Sequence, residues 1–590
     1  MAPWHRSSGR ELRMGRPGMV DRMSVVTRYV PAAGWLRKYR RKWLRADVLG
    51  GITVWAVLVP EAMAYAGIAG VPPLMGLYTV PLPLFFYALL GSSRLMVVGP
   101  DSATALLSAG IVGSMALHGN YLVLTSALAV TVGALFLLFG VFRLGWLANL
   151  VSRPVMSGFL QGIVLVTIIG QVPGLIGIGP EHGLFFHRLA ACLRALPAVH
   201  GMTLAVGGAS LALLLVLHRK MPRLPSAMVT VIVMTLVSTI LDLESRGVAV
   251  TGTLATSLPP LSLPRVSPGE YLDLVPGALT IVLLGYIESL GAAEVSSLQS
   301  GRDVDPDQEL IALGFCNLGA GISSGFVAVG SLSKTSVAAV CGVKTQAAFL
   351  VSGILSLLTL LFLLPLLSNL PHATLAAIVI EAMLGLDQSA AIRQQFRFSR
   401  LEGLLAMVSL LGVLYFGVVE GVVAGVILSI IVLLERASHP GTAVLGRIPG
   451  HAVYRDIRRH PEAITVPGLL IFRFDSELVF PSSRFFLHQA MGEVKRARDP
   501  VQVFLINAET INDLDLTGAQ ALLRLEEKLR RKGIRFWVAQ MQDPVIDKLR
   551  RLDGGEKLTD GHLYESVGDA VRAYKKFMSR SSVRVNKKGT

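Results

Sequence analysis

The chain has 590 residues, 52% of them apolar and only 16% charged, with 55 Lys and Arg against 39 Asp and Glu and a net charge of +16. Soluble proteins carry about 25% charged residues, and three cysteines cannot staple a secreted scaffold. A soluble enzyme, a disordered chain and a disulfide-rich module are therefore excluded.

The charge is unevenly divided. Residues 1–46 hold 12 basic and 2 acidic side chains, residues 47–436 hold 36 charged residues, and residues 437–590 hold 44. The division reads as a basic arm over 1–46, an apolar membrane body over 47–436, a linker over 437–466, a soluble domain over 467–580 and a basic tail over 581–590. The positive excess flanks the body, so it reads as positive-inside bias rather than as a nucleic-acid signal. The long, arginine-rich arm lacks the short apolar core and small-residue cleavage site of a signal peptide.

A helix crossing a bilayer needs about 20 mostly apolar residues, fewer where a half-helix is buried in protein. In chain order the hydropathy predicts fourteen spans, over 48–67, 75–90, 98–115, 121–140, 154–173, 202–218, 225–241, 275–296, 308–323, 329–343, 346–364, 371–385, 401–416 and 418–436. The stretch 182–200 carries Arg188 and Arg194 on an amphipathic pattern and is predicted to be a surface helix. An even count puts both ends on one side. The run Arg37, Lys38, Arg40, Arg41, Lys42 and Arg45 places that side in the cytoplasm. Internal loops then carry Arg94, Arg143, Arg153, Arg223, Arg302 and Arg397, and external ones Arg188, Arg194, Arg246 and Arg265. Cys316 and Cys341 fall in spans and Cys192 outside, and none receives a function.

Charged groups inside spans are costly and mark ion or substrate paths. Glu61, Asp101, Glu288 and Lys334 are such groups, while Glu381 and Glu420 lie nearer span ends, where they can snorkel. Pro60 frees a carbonyl in mid-helix just before Glu61, and Tyr65 shares the face of Glu61. The third and tenth spans are interrupted in the same way. Each has a short extended stretch, then Gly99-Pro100 or Gly330, then a helix rich in Ser and Thr. Pro100 is predicted in the first turn of its helix, with Asp101 and Ser102 following. Two helices starting deep in the membrane would turn free N–H groups and positive dipole ends toward an anion. Matched breaks in two halves point to the central site of a transporter, and seven-span halves are necessarily inverted. Lys334 suits an anion there, or a carboxylate partner among Glu61, Asp101 and Glu288. The buried acids suit proton coupling.

After a Pro/Gly stretch near 439–450, the tail alternates strand and helix. Strands are predicted at 469–474, 501–507 and 534–539, and helices at 481–498, 519–532, 543–551 and 567–579. Thr517 sits at a helix start, where it would serve as a plain N-cap or as a regulatory phosphosite.

These residues carry a resemblance. Val59-Pro-Glu-Ala-Met-Ala-Tyr-Ala-Gly67 and on to Pro73, Gly91-Ser-Ser-Arg94, Val98-Gly-Pro100, Pro154-Val-Met-Ser-Gly-Phe159, Gln308-Glu-Leu-Ile-Ala-Leu-Gly314 and Gly330-Ser-Leu-Ser-Lys-Thr335 resemble the signatures of SulP anion transporters. The tail, with Asp515-Leu-Thr-Gly518, looks like the STAS domain that follows them. The resemblance spans about residues 45–580. It implies an α-helical membrane protein with fourteen spans in a seven-plus-seven inverted repeat, divided into core and gate domains and followed by a small α/β STAS domain. It also implies a homodimer, elevator-like movement, and an anion held between the starts of helices three and ten against helix one. Family site positions fall on Glu61, Tyr65, Pro100, Asp101, Leu332, Ser333 and Lys334, with Glu288 on an acidic position of span eight; Ser102 adjoins them. The chain departs from the family at Glu61, where Gln is common, at Asp101, usually apolar, at Phe326-Val-Ala-Val, usually Phe-Pro-Val, and at Lys334, where Arg is commoner.

The expected function is secondary transport of small oxyanions, sulfate first, by proton symport through Glu61 and Glu288, in the inner membrane with both termini cytoplasmic. The alternatives are a proton-coupled dicarboxylate or bicarbonate carrier on the same frame, and an anion sensor signalling through the STAS domain to a cytoplasmic regulator. No nucleophile–base pair, metal cluster or phosphate loop suggests an enzyme, a cofactor or a metal.

Overall fold

The computed structural model describes residues 30–115, 120–150, 152–179, 183–221, 224–253, 257–300, 304–559 and 562–586. The chain forms two compact units, one ending at Ser429 and the other beginning at Ile430. The start of the arm, Arg223, Arg302 and the end of the tail lie outside the described residues.

The first unit is helical. It opens with α1 (Ala32–Arg37), α2 (Arg41–Ile68), α3 (Pro73–Tyr78) and α4 (Pro81–Leu90), followed by the three-residue strand β1 (Val97–Gly99). Next come α5 (Ser102–Met115), α6 (Tyr121–Val141), α7 (Arg153–Ile176), α8 (Phe185–Ala195), α9 (Gly201–Lys220) and α10 (Ser226–Leu241). After α11 (Pro268–Ser300) and α12 (Pro306–Ile322), β2 (Val329–Ser331) leads into α13 (Leu332–Val340). The unit continues through α14 (Ala347–Leu358), extended by π and 3-10 turns to Leu367, then α15 (His372–Gly385), α16 (Ser389–Phe398), α17 (Arg400–Phe416) and the start of α18 (Val418–Ser438). Nine helical stretches among the described residues are long and apolar enough to cross a membrane, and α5 and α10 are shorter apolar helices. Each predicted span falls on helical structure, the second on two helices, α3 and α4, and the third and tenth on strand–helix pairs, and α8 is the amphipathic helix expected near 182–200.

Two large apolar clusters and a smaller one around Met234 and Leu243 hold this unit among the described residues. In one of the large clusters, Leu58 and Ala62 of α2 pack with Phe349 of α14 and Ile378 of α15. In the other, Leu128 and Val132 of α6 pack with Ile281 of α11 and Leu313 of α12. Helix α2 runs unbroken through Pro60, a break that helices buried among other membrane helices tolerate.

β1 and β2 pair antiparallel, Val97 opposite Ser331, Val98 opposite Gly330 and Gly99 opposite Val329. The two interrupted spans therefore meet head to head, the geometry expected of inverted halves. Gly330 suits this close approach. A Cβ would lie 2.5 Å from the Met96 sulfur and 3.0 Å from the Ser289 Cα, so a side chain would displace Met96 and crowd α11.

The second unit is a six-stranded sheet in the order β4 (Tyr454–Asp456), β3 (Thr442–Arg447), then β5, β6, β7 and β8, with helices against it. The parallel strands are β5 (Leu469–Phe474), β6 (Val503–Asn507), β7 (Arg535–Ala539) and β8 (Leu563–Tyr564). Helices α19 (Phe480–Arg496), α20 (Leu516–Arg531), α21 (Asp543–Arg550), α22 (Glu556–Thr559) and α23 (Val567–Asn586) complete it. Phe472, Phe504 and Phe536 line up across three strands in its core.

Four expectations need correcting. The stretch 437–466, predicted as a linker, contains β3 (Thr442–Arg447) and β4 (Tyr454–Asp456), which extend the sheet antiparallel from β5. The run Ala443-Val-Leu445 is short and flanked by Pro-Gly pairs, so its strand character rests on the partner that covers it. Thr517 does not cap α20; Asp515 does, accepting from the Gly518 N–H at 2.7 Å, and Thr517 is exposed one position into the helix. Pro100 precedes α5 rather than opening it. Asp101 holds the capping place, its carboxylate accepting from the Ala103 N–H at 3.0 Å and its carbonyl from the Ala105 N–H at 2.9 Å. Cys341 ends α13 and is exposed.

Candidate functional site

The site forms where α2 crosses the starts of α5 and α13. Lys334, in the first turn of α13, is 1% exposed. Its Nζ lies 2.8 Å from Oε2 of Glu61. It donates to the Pro100 carbonyl at 3.1 Å and to the Ser331 hydroxyl at 3.3 Å. It also sits 5.0 Å from the centre of the Tyr65 ring, so the aromatic face forms one wall of the ammonium's enclosure. Of the three acids that could have partnered Lys334, it is Glu61 that does. The contact is oblique, outside hydrogen-bond geometry, and Glu61 Oε2 has no other hydrogen-bond partner.

Two further acids stand behind this pair. Asp101 feels both Lys334 and Glu61 electrostatically, and Glu288 on α11 feels Asp101. Glu288 Oε2 and the Ser102 hydroxyl are buried without hydrogen-bond partners. Three acids thus share the neighbourhood of one lysine. Leu332 and Ser333 face accessible space, with the Ser333 hydroxyl 3.1 Å from that of Ser331. Ser331 begins α13 without a side-chain cap on the helix. The positive end of α13 is open, whereas that of α5 carries the Asp101 carboxylate. Thr517 belongs to the other unit.

Sequence reasoning missed the residues that hold the strands in place. The Ser289 hydroxyl accepts from the Gly330 N–H at 2.8 Å, and the Thr335 hydroxyl accepts from the Val97 N–H at 3.1 Å. Asn317 pins Ala328 from both sides, accepting from its N–H and donating to its carbonyl. Gln346 donates to the carbonyls of Ser93 and Met96. Glu309 is fully buried and accepts from the Tyr87 hydroxyl at 2.8 Å, the Ser92 N–H at 2.8 Å, the Ser92 hydroxyl at 2.7 Å and the Ser93 N–H at 3.3 Å. These bonds fix the loop that enters β1. The signal for Glu309 was present, since an acid near a span start is costly unless paired.

Comparison with known proteins agrees with this architecture. Residues 44–409 match the model of the sulfate permease family, and residues 460–570 match the STAS domain. A probable sulfate transporter of Mycobacterium tuberculosis is 37% identical over 553 residues, covering 92% of this chain and 99% of the relative. Sulfate transporter 1.2 of Arabidopsis thaliana is 29% identical over 578 residues, covering 92% and 87%. Among solved structures, murine Slc26a9, an anion transporter in the inward-facing state, superposes with a TM-score of 0.86 at 22% identity, covering 96% of both chains. The transmembrane domain of the cyanobacterial bicarbonate transporter BicA superposes with a TM-score of 0.57 at 21% identity over 67% of this chain and 98% of its own.

Proposed function

We propose that this chain, which belongs to the sulfate permease family of multi-pass anion transporters and ends in a STAS domain, carries sulfate by proton symport. The observation that supports this reading is the buried Glu61–Lys334 pair. A lysine already claimed by a carboxylate attracts an anion weakly. Protonating Glu61 cancels that claim and leaves the ammonium, the open start of α13 and the Ser333 hydroxyl to an oxyanion. Losing the proton restores the pair and expels the anion. One proton is thereby tied to one binding event, and Asp101 and Glu288 oppose any anion arriving while they are ionised. Sulfate is the preferred cargo because the full-length relatives carry that name.

In this reading α5 and α13 ride on a core that slides past a gate in an elevator-like motion, in a homodimer of the inner membrane with cytoplasmic termini. Glu288 assists proton transfer. The STAS domain offers Thr517, exposed at a helix start, to a cytoplasmic regulator.

The test is labelled sulfate uptake into proteoliposomes with and without an inward proton gradient, for the wild type and Glu61→Gln. The expected outcome is gradient-stimulated uptake that Glu61→Gln loses while keeping gradient-free exchange. Equal gradient stimulation in both proteins would sink the assignment of Glu61. Uptake of fumarate or bicarbonate in place of sulfate would overturn the cargo and keep the frame. Anion binding without counterflow would make the protein a sensor.

A further inference from the structure

A cavity of about 600 Å³ lies away from the Lys334 site. It is bounded by the C-terminal ends of α2 and α17 and the N-terminal ends of α6 and α18, so it sits at the end of the bundle opposite the start of α2. Its wall includes Leu106 and Gly110 on one face of α5, the helix whose first turn borders the central site. Most of the remaining wall is apolar, but it includes polar groups, among them Thr167 and Gln171 of α7, Arg188 of α8 and Glu420 of α18.

Arg188 is the unusual member. Its guanidinium lies against Gly170, where a Cβ would come within 3.3 Å of Nη1. Its Nε is buried and has no hydrogen-bond partner. Neither Glu420 nor any other carboxylate among the described residues forms an ion pair with it. The Thr167 hydroxyl, on the same wall, is also buried without a partner. A guanidinium half-withdrawn from water with one buried donor unused is costly unless an acceptor reaches it. Arg188 is the cationic group on this lining and Glu420 the anionic one, so the attraction for an anion is local to the guanidinium rather than spread over the cavity.

We propose that Arg188 and Thr167 form an outer capture site, where a small oxyanion from the face opposite the basic arm is held before it reaches Lys334. The cargo class rests on the transport reading above, and Glu420 opposes capture by its charge.

The test is the concentration dependence of labelled sulfate uptake in intact cells, where only the outer face meets the label, together with efflux from preloaded cells. Arg188→Gln is expected to raise the apparent KM for external sulfate about tenfold, with the maximal rate and the internal KM within about twofold of wild type. That difference is expected to shrink as ionic strength rises. Glu420→Gln is expected to lower the external KM. An unchanged external KM in Arg188→Gln, or equal rises on both faces, overturns the capture site while leaving transport itself standing. Absence of saturable uptake of any anion by the wild type would strike the transport reading instead. Should Arg188→Gln fail to accumulate, Arg188→Lys decides. A near-normal external KM supports capture by charge, and a second failure to accumulate means that Arg188 is a packing residue and overturns the proposal.

Discussion

Glu309 and Glu61 are both glutamates buried in the helical unit, and they live under opposite conditions. Glu309 accepts four hydrogen bonds from one short loop and the tyrosine beside it. Glu61 has a single cation, met obliquely, and an oxygen with no hydrogen-bond partner. A fully bonded buried carboxylate fixes what surrounds it. A poorly bonded one leaves a free-energy gap that a proton or a ligand can fill. The difference separates a carboxylate that serves as scaffold from the one proposed to work within a single apolar body, where charge alone would have grouped the two.

The largest expected effect lies at the pair. Lys334→Gln leaves Glu61 buried without its cation, a loss of about 3–5 kcal/mol. Sulfate uptake is expected to fall by roughly 100-fold or more. Adding Glu61→Gln to that variant is expected to restore thermal stability in detergent but not uptake. Recovery of uptake in the double variant would mean that Lys334 serves only to neutralise Glu61.

Next comes the clamp. Glu309→Ala strands two backbone N–H groups and two hydroxyls, for a stability loss of roughly 2–4 kcal/mol. The expected reading is a lower melting temperature, with fewer active molecules but an unaltered KM in those that remain. A changed proton dependence in Glu309→Gln would break the division between scaffold and working part. Smaller still is Ser289→Ala, which removes the bond to the Gly330 N–H, about 1–2 kcal/mol, and is expected to lower affinity slightly by loosening β2.

The smallest effect is expected in the tail. Asp513 bonds Lys548 and the Leu514 N–H, which hold its carboxyl below the usual range. A depressed folded-state value stabilises above the ordinary carboxylate range, and that stability is lost as pH falls through the folded value. Both groups are solvent-exposed, so Lys548→Gln is expected to leave melting at neutral pH unmoved. A clear drop would show that surface charge in this unit carries more than its exposure implies.

Much of this was legible in the residues. Apolar length marks the spans, and Gly99-Pro100 and Gly330 mark the two interruptions because helices need a reason to stop inside a membrane. Lys334 announces itself as a cation at a helix start. Its partner could not be read, because Glu61, Asp101 and Glu288 lie on three different helices and only their crossing chooses among them. The pairing of β1 with β2 joins segments some 230 residues apart through three residues each, too short for any alternation to show. The contributions of Ser289, Thr335 and Asn317 are hydrogen bonds to distant backbone, for which no local pattern exists. In the tail, β3 was hidden because Pro440-Gly441 and Pro449-Gly450 frame so few apolar residues.

The short ladder between β1 and β2 has a mechanical consequence. Because Val97–Gly99 is stitched to Val329–Ser331, the beginnings of α5 and α13 cannot part like jaws. On the transport reading proposed above, cargo would enter a grip whose shape is already set, so little of its binding energy would be spent on assembling the grip. Such a grip would discriminate by the same geometry whichever way it is turned. The ranking of competing oxyanions is therefore expected to be the same when measured from either face of the membrane, even where their absolute affinities differ.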